Sequence, residues 1–249
     1  MRSVSLMTEI LQATLPEDLE AEMRLPGIRP VPDGRWLRRD EAYAEQMAYR
    51  RKLIAEKRSS VLWQDPCSDE AVNELFEAAL DQLPAMGFGL NDNYIQCPDA
   101  HEVDMAGDTP LAVLGQSVQE DLCLMQKRGG EHVLTAAILC FPASWTLAEK
   151  AGKPLTAIHK PVEEYDAPLA RRVQRLFDGV QVGRPLWRNN MLRYENPDLY
   201  QPRSETEPHR TEPPHPAGAF VRAERQCILR LPKTKAVVFS IHSYVVRSP

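Results

Sequence analysis

The stretch Leu139–Tyr165 sets the tightest limits on how this chain can fold. An apolar, strand-like run, Leu134–Phe141, stops at Pro142, a residue without a ladder donor. A short helix follows, with Ser144 placed to cap it and Gly152 placed to end it. The chain then becomes extended and delivers His159 just before Lys160–Pro161. Proline at 161 disfavours helix at Lys160, so His159 sits in or beside a turn, where an imidazole is held at a fixed angle.

Other elements gather around this stretch. Asp40–Lys57 reads as a helix with Tyr43, Met47, Leu53 and Ile54 on its apolar stripe and Asp40 as its cap. Ser68–Leu83 reads as a second, with Val72, Leu75, Phe76, Ala79 and Leu83 inward. Asp69 and Glu70 suit its first turn, and Pro84 stops it. Leu111–Lys127 reads as a third helix, and Gly129–Gly130 turns the chain into a strand, His132–Phe141. Ala167–Val180 is strongly amphipathic, with Leu169, Val173, Leu176, Phe177 and Val180 on one side. A strand, Pro185–Tyr194, follows. Phe220–Leu231 and Ala236–Arg247 then form a hairpin around Pro232–Lys235.

Between these lie irregular segments. Residues 1–39 carry Pro16, Pro26, Pro30 and Pro32 and read as an extended arm wrapping the domain. Asn91–Pro110 is polar and turn-rich, a surface segment. Residues 201–218 hold five prolines and form a Pro-rich loop. Helices come first, then strands with interspersed helices. That order predicts an α+β fold with an antiparallel sheet, one domain over residues 1–249.

A net charge of -5 argues against a nucleic-acid surface. No apolar run approaches the roughly 18 residues of a bilayer span, and the N-terminus carries acids too early for a secretory signal. The five cysteines (Cys67, Cys97, Cys123, Cys140 and Cys227) include no CxxC pair, which fits reduced thiols and neither a zinc ribbon nor an iron–sulfur cluster. A soluble cytoplasmic protein is expected. HExxH, Gly-x-Ser-x-Gly and P-loop motifs are lacking, and Gly87-Phe88-Gly89 lacks the third glycine of a dinucleotide fingerprint.

Chemistry concentrates in two places. On the strand Phe220–Leu231, alternation puts Val221, Ala223, Arg225, Cys227 and Leu229 on one face. Phe220, Arg222, Glu224, Gln226, Ile228 and Arg230 take the other. Burying the row Arg222–Glu224–Gln226 without partners costs several kcal/mol. Either that face is a wet surface with cross-strand ion pairs or it serves a ligand. Arginines there suit carboxylates through forked hydrogen bonds, and alternation alone does not say whether Arg222 or Arg225 points inward. The second place is His159, expected to face a bound prosthetic group, with a structural or exposed ring as the alternative. His209 and His215 fall in the Pro-rich loop and are expected in solvent, and His242 shares a face of the last strand with Ser240 and Tyr244.

Several short runs then add up. QEDLCLM (Gln119–Met125), CFPASW (Cys140–Trp145), EKAG (Glu149–Gly152), IHKPV (Ile158–Val162), RNN (Arg188–Asn190), RAERQCILRLP (Arg222–Pro232) and VFSIHSY (Val238–Tyr244) occur in that order. Together they resemble the heme-dependent oxidative N-demethylase family over most of residues 25–246. The resemblance implies a PAS-like antiparallel sheet with flanking helices that holds heme b. It implies oxidative removal of a methyl group from a small secondary amine such as dimethylamine, using O2 and releasing formaldehyde. Electrons then come from NADPH through FMN and an iron–sulfur cluster on a separate reductase subunit. No nucleic-acid or membrane partner is implied.

On the same resemblance, His159 is the axial iron ligand, and Arg222, Arg225 and Arg188 are cofactor-binding candidates for the propionates or the pocket. Glu224 is the candidate to recognise the substrate ammonium or deliver protons, and Asn190, or its neighbour Asn189, hydrogen-bonds the ligand. The sequence departs from the family pattern where Met191 follows Asn190 in place of tryptophan and where His242 stands in place of arginine. A non-catalytic heme, gas or small-ligand sensor of PAS type is the alternative implied function.

Overall fold

The computed structural model describes residues 9–19, 27–158, 167–207 and 218–249. His159, Lys160–Pro161, His209 and His215 lie outside the described residues. The elements run β1 (Arg29–Pro30), α1 (Tyr43–Glu56), α2 (Arg58–Val61), β2 (Leu62–Gln64), α3 (Asp69–Leu80), β3 (Gly89–Leu90), β4 (Tyr94–Gln96) and β5 (Glu102–Asp104). They continue with α4 (Pro110–Ser117), β6 (Asp121–Arg128), β7 (Glu131–Ile138), α5 (Leu147–Lys150), α6 (Leu155–Ile158), α7 (Ala167–Gly179), β8 (Leu186–Tyr194), β9 (Phe220–Arg230) and β10 (Val237–Arg247).

Seven strands form one antiparallel sheet in the order β1-β8-β9-β10-β6-β7-β2, and β3-β4-β5 form a small second sheet. The fold is therefore α+β with an antiparallel sheet between helices. The β9–β10 hairpin is its spine: eleven residues of each strand pair without a break, from Arg230 opposite Val237 to Phe220 opposite Arg247. Both faces of the spine are covered. One carries Leu122, Leu124, Ala223, Cys227, Leu229 and Tyr244 into a core shared with α1, α3 and α4. The opposite face carries Cys123, Met125, Ile228 and Val237 against Leu147, Leu155, Ile158 and Phe177 of α5, α6 and α7. Burial on both faces supplies most of the stability, at roughly 25 cal/mol per Å² of apolar surface removed from water.

Three expectations change. Leu111–Lys127 is not one helix. Thr109 caps α4, its hydroxyl accepting from Ala112 N at 3.4 Å, and the helix ends at Ser117. Val118 is extended, and β6 starts at Asp121. Leu111–Gly115 of α4 and Asp121–Met125 of β6 are buried on every side, which hides the change of period. Ser144 does not cap α5: its backbone is left-handed (φ 64), and Thr146 holds the cap position, its hydroxyl donating to Glu149 at 2.5 Å. The ending at Gly152 holds, with φ +70 and its N–H donated to Leu134 O. Asn91–Pro110 is mostly exposed, as expected, but it also contains β4 and β5.

For the face Arg222–Glu224–Gln226, the sequence leaves a wet surface and a ligand-serving face both open. It is not a wet surface: Arg222 is 3% and Glu224 7% exposed. The described part of the arm does wrap the domain. Ile10, Leu19, Val31, Trp36 and Leu37 are buried, and β1 pairs with β8.

Candidate functional site

Register decides which side chains meet. β8 pairs with β9 so that Arg188 stands opposite Gln226, Asn190 opposite Glu224 and Leu192 opposite Arg222. Opposite residues of an antiparallel pair share a face, with Cβ atoms roughly 4.5–5.5 Å apart. Arg188, Asn190, Arg222 and Glu224 therefore occupy one patch of one face. From β10, Ser243 joins the patch opposite Glu224.

The patch is organised around a carboxylate. Glu224 Oε1 lies 3.5 Å from Arg222 Nε, and Glu224 Oε2 accepts from the Gln226 amide at 3.0 Å. Arg222 is anchored from behind: Nη1 donates to Leu199 O at 3.0 Å, and Nη2 donates to Phe141 O at 2.5 Å and Ser243 Oγ at 3.4 Å. Its Nε, buried, has no hydrogen-bond partner among the described residues. Arg188 is half-buried, and its one hydrogen bond among the described residues is a long one, Nε to Asn189 O at 3.4 Å. Burial pushes its guanidinium below the ordinary arginine value, and the Glu224 charge works against that shift.

Gln226 belongs to this site although sequence reasoning gave it no role. Its signal was available: two residues on from Glu224, it must share the carboxylate's face.

Arg225 is elsewhere. It is 1% exposed on the opposite face of β9, with Nη1 donating to Trp36 O at 3.1 Å and Nη2 to Arg35 O at 3.2 Å. Its guanidinium lies over the Trp187 ring at 5.6 Å. Asn189 faces that side too, opposite Arg225, where its amide donates to Leu19 O at 3.4 Å. Both arginines of the RAERQ run are thus buried, one on each side, and only Arg222 joins Glu224.

The far face also holds a buried polar cluster. His242, opposite Arg225, is 1% exposed. Its Nδ1 lies 2.9 Å from Glu120 Oε1 and its Nε2 3.1 Å from Asp40 Oδ2. Burial opposes the charged ring. The Tyr244 oxygen and the Glu120 and Asp40 carboxylates outweigh it and hold the His242 pKa well above its ordinary value. Gln119 bridges Asp40 and Gln46. This cluster ties the arm to β10 and takes no part in the patch around Glu224.

A porphyrin with acidic side chains needs cationic donors and an axial ligand. The patch holds two cations, Arg222, whose Nε is ion-paired with Glu224 but makes no hydrogen bond among the described residues, and the lightly engaged Arg188. The chain enters the segment with His159 from Ile158, which packs into the core on this same side of the sheet, its carbonyl held by Lys150 Nζ at 2.6 Å. Arg188 and Arg222 suit the acidic side chains of such a group, and His159 lies outside the described residues. Among the described residues no cluster of three or more His, Cys, Asp or Glu forms an alternative metal site, and no helix is long and apolar enough to cross a membrane. The family described as haem-dependent oxidative N-demethylase, alpha subunit-like, matches residues 27–248, and the chain belongs to that family.

Proposed function

We propose that this chain is the heme-bearing subunit of an oxidative N-demethylase that acts on a small secondary amine of the dimethylamine type and releases formaldehyde. The observation that carries the reading is the buried Glu224 carboxylate, fixed between Arg222 and the Gln226 amide on the face shared with Arg188 and Asn190. A dialkylamine is a cation at neutral pH, and a buried carboxylate is its natural partner. Glu224 binds the substrate ammonium and takes the proton that must leave nitrogen. Arg222 and Gln226 set the direction of the carboxylate, and Asn190, directly opposite, hydrogen-bonds the ligand. Arg188 and Arg222 hold the propionates, and His159 ligates the iron.

Heme b, when bound, supplies oxygen activation, and its electrons come from NADPH through the flavin and iron–sulfur centre of a partner reductase subunit. The alpha-subunit-like description of the family supports a multi-subunit arrangement.

The test is spectroscopic and chemical. The chain reconstituted with hemin is expected to show a Soret band that His159→Ala shifts or abolishes. With reductase, NADPH and dimethylamine it is expected to form formaldehyde, and Glu224→Gln is expected to stop that while keeping the Soret band. An unchanged spectrum in His159→Ala, or full turnover in Glu224→Gln, overturns the reading.

A further inference from the structure

On the far side of the sheet from Glu224, the arm and the turn after α3 border an open hollow of about 540 Å³. It is lined by Pro32, Asp33, Arg35, Arg38, Arg39 and Arg225, with Leu37 and Ala85–Gly87 completing the wall. Four arginines and a single carboxylate, Asp33, therefore contribute to the lining of one concavity. Two more features make it a built site. Arg38 is already neutralised by Asp18, outside the lining. Arg225 is a buried arginine whose Nε has no partner among the described residues, and it is fixed by the carbonyls of Arg35 and Trp36.

Arg35 and Arg39, by contrast, are exposed at the mouth and have no ion pair among the described residues. The backbone is shaped around them: Asp33, Gly34 and Gly87 all take left-handed conformations, and the Gly87 position lies 3.9 Å from an Arg39 Nη atom.

We infer that this hollow binds a small, multiply charged phosphate anion, a diphosphate or a phosphate-bearing metabolite, independently of the face that carries Glu224. The charge count selects the class. Four arginines less the carboxylates of Asp33 and Asp18 leave two positive charges; a monocarboxylate compensates only half of them, whereas a phosphate dianion or diphosphate matches them and offers several oxygens to forked donors at once. The volume lies within the roughly 300–1,000 Å³ of small-molecule sites. The protein as a whole carries -5, so this is a local cationic hollow in an acidic molecule, unsuited to a polynucleotide.

Inorganic pyrophosphate is the probe, titrated calorimetrically into the full chain against sodium chloride of matched ionic strength. Saturable one-site binding is expected. Arg35→Gln/Arg39→Gln should weaken it by about tenfold or more while leaving the melting temperature of the unliganded protein unchanged. Absence of saturable binding by the wild-type chain overturns the inference. So does a double variant that binds as wild type does, or binding of an oligoglutamate peptide without any response to pyrophosphate. Hemin reconstitution and formaldehyde release are separate readouts, so failure here leaves the proposed reaction standing and the converse holds too.

Discussion

Arg50 and Arg222 are both buried, and both are held by backbone carbonyls. Arg50 donates to Gly115 O, Gln119 O and Glu120 O and pairs with Asp121 at 2.7 Å. Asp121 in turn accepts from Cys140 N and Phe141 N, where the chain leaves β7. Arg50→Met strands Asp121 as a buried unpaired charge, so a loss of about 3–5 kcal/mol in denaturant unfolding is expected.

His242 makes a different prediction. Its folded pKa is raised, so its contribution is fully present below the ordinary histidine value and is lost as pH climbs through the raised folded value. Asp40 works the other way. Burial lifts its pKa, but hydrogen bonds from His242, Gln119 and Gln12 hold it below the carboxylate norm, so its contribution fades as pH falls. Melting temperatures from about pH 6 to about pH 10 should fall in wild type and fall less in His242→Gln, which starts lower. Parallel curves for the two proteins would contradict the charged ring.

Among the elements, the amphipathic helices were legible because one face of each stays polar: the stripe of α1 and the Val72–Ala79 stripe of α3 could be read directly. The β9–β10 hairpin was legible from its apolar runs flanking the Pro232–Lys235 turn, although both its faces are buried. The join between α4 and β6 was not. Where nearly every position is buried, neither the helical nor the strand period stands out, and only pairing with β10 and β7 makes 121–128 a strand. Gly115 marks how tightly α4 is seated: an added Cβ would lie 2.6 Å from Ile138 Cγ1 and 3.1 Å from Ile54 Cδ1. Gly115→Ala is therefore expected to destabilise by about 1–3 kcal/mol despite alanine's better helix propensity. Thermal unfolding at the same pH measures it; a gain in stability would show that α4 can shift. Of the candidate site, the face of Glu224 followed from a period of two. Its burial did not, because the carbonyls that satisfy Arg222 come from Phe141 and Leu199, far away in sequence.

For the whole molecule, the described arm completes the sheet. β6 reaches only Val237–Ile241 of β10, which leaves the strand beyond without that neighbour. Gln12 stands in for it: its N–H donates to Val245 O at 2.9 Å, its side-chain oxygen accepts from Val245 N at 2.8 Å, and its amide donates to Asp40. Gln12→Ala leaves a buried strand N–H without its acceptor. A cost of about 1–3 kcal/mol is expected, with faster amide exchange at Val245. Unaltered exchange there would mean that water replaces the glutamine.

The sheet also separates two buried polar clusters, one built on Glu224 and Arg222, the other on Arg225 and His242. Adjacent positions on one strand thus belong to different clusters. One extra residue inserted ahead of Glu224 in β9 would exchange the occupants, sending the carboxylate toward the arm and Arg225 toward the patch. Length along this strand, more than the identity of any single side chain, keeps the two chemistries apart.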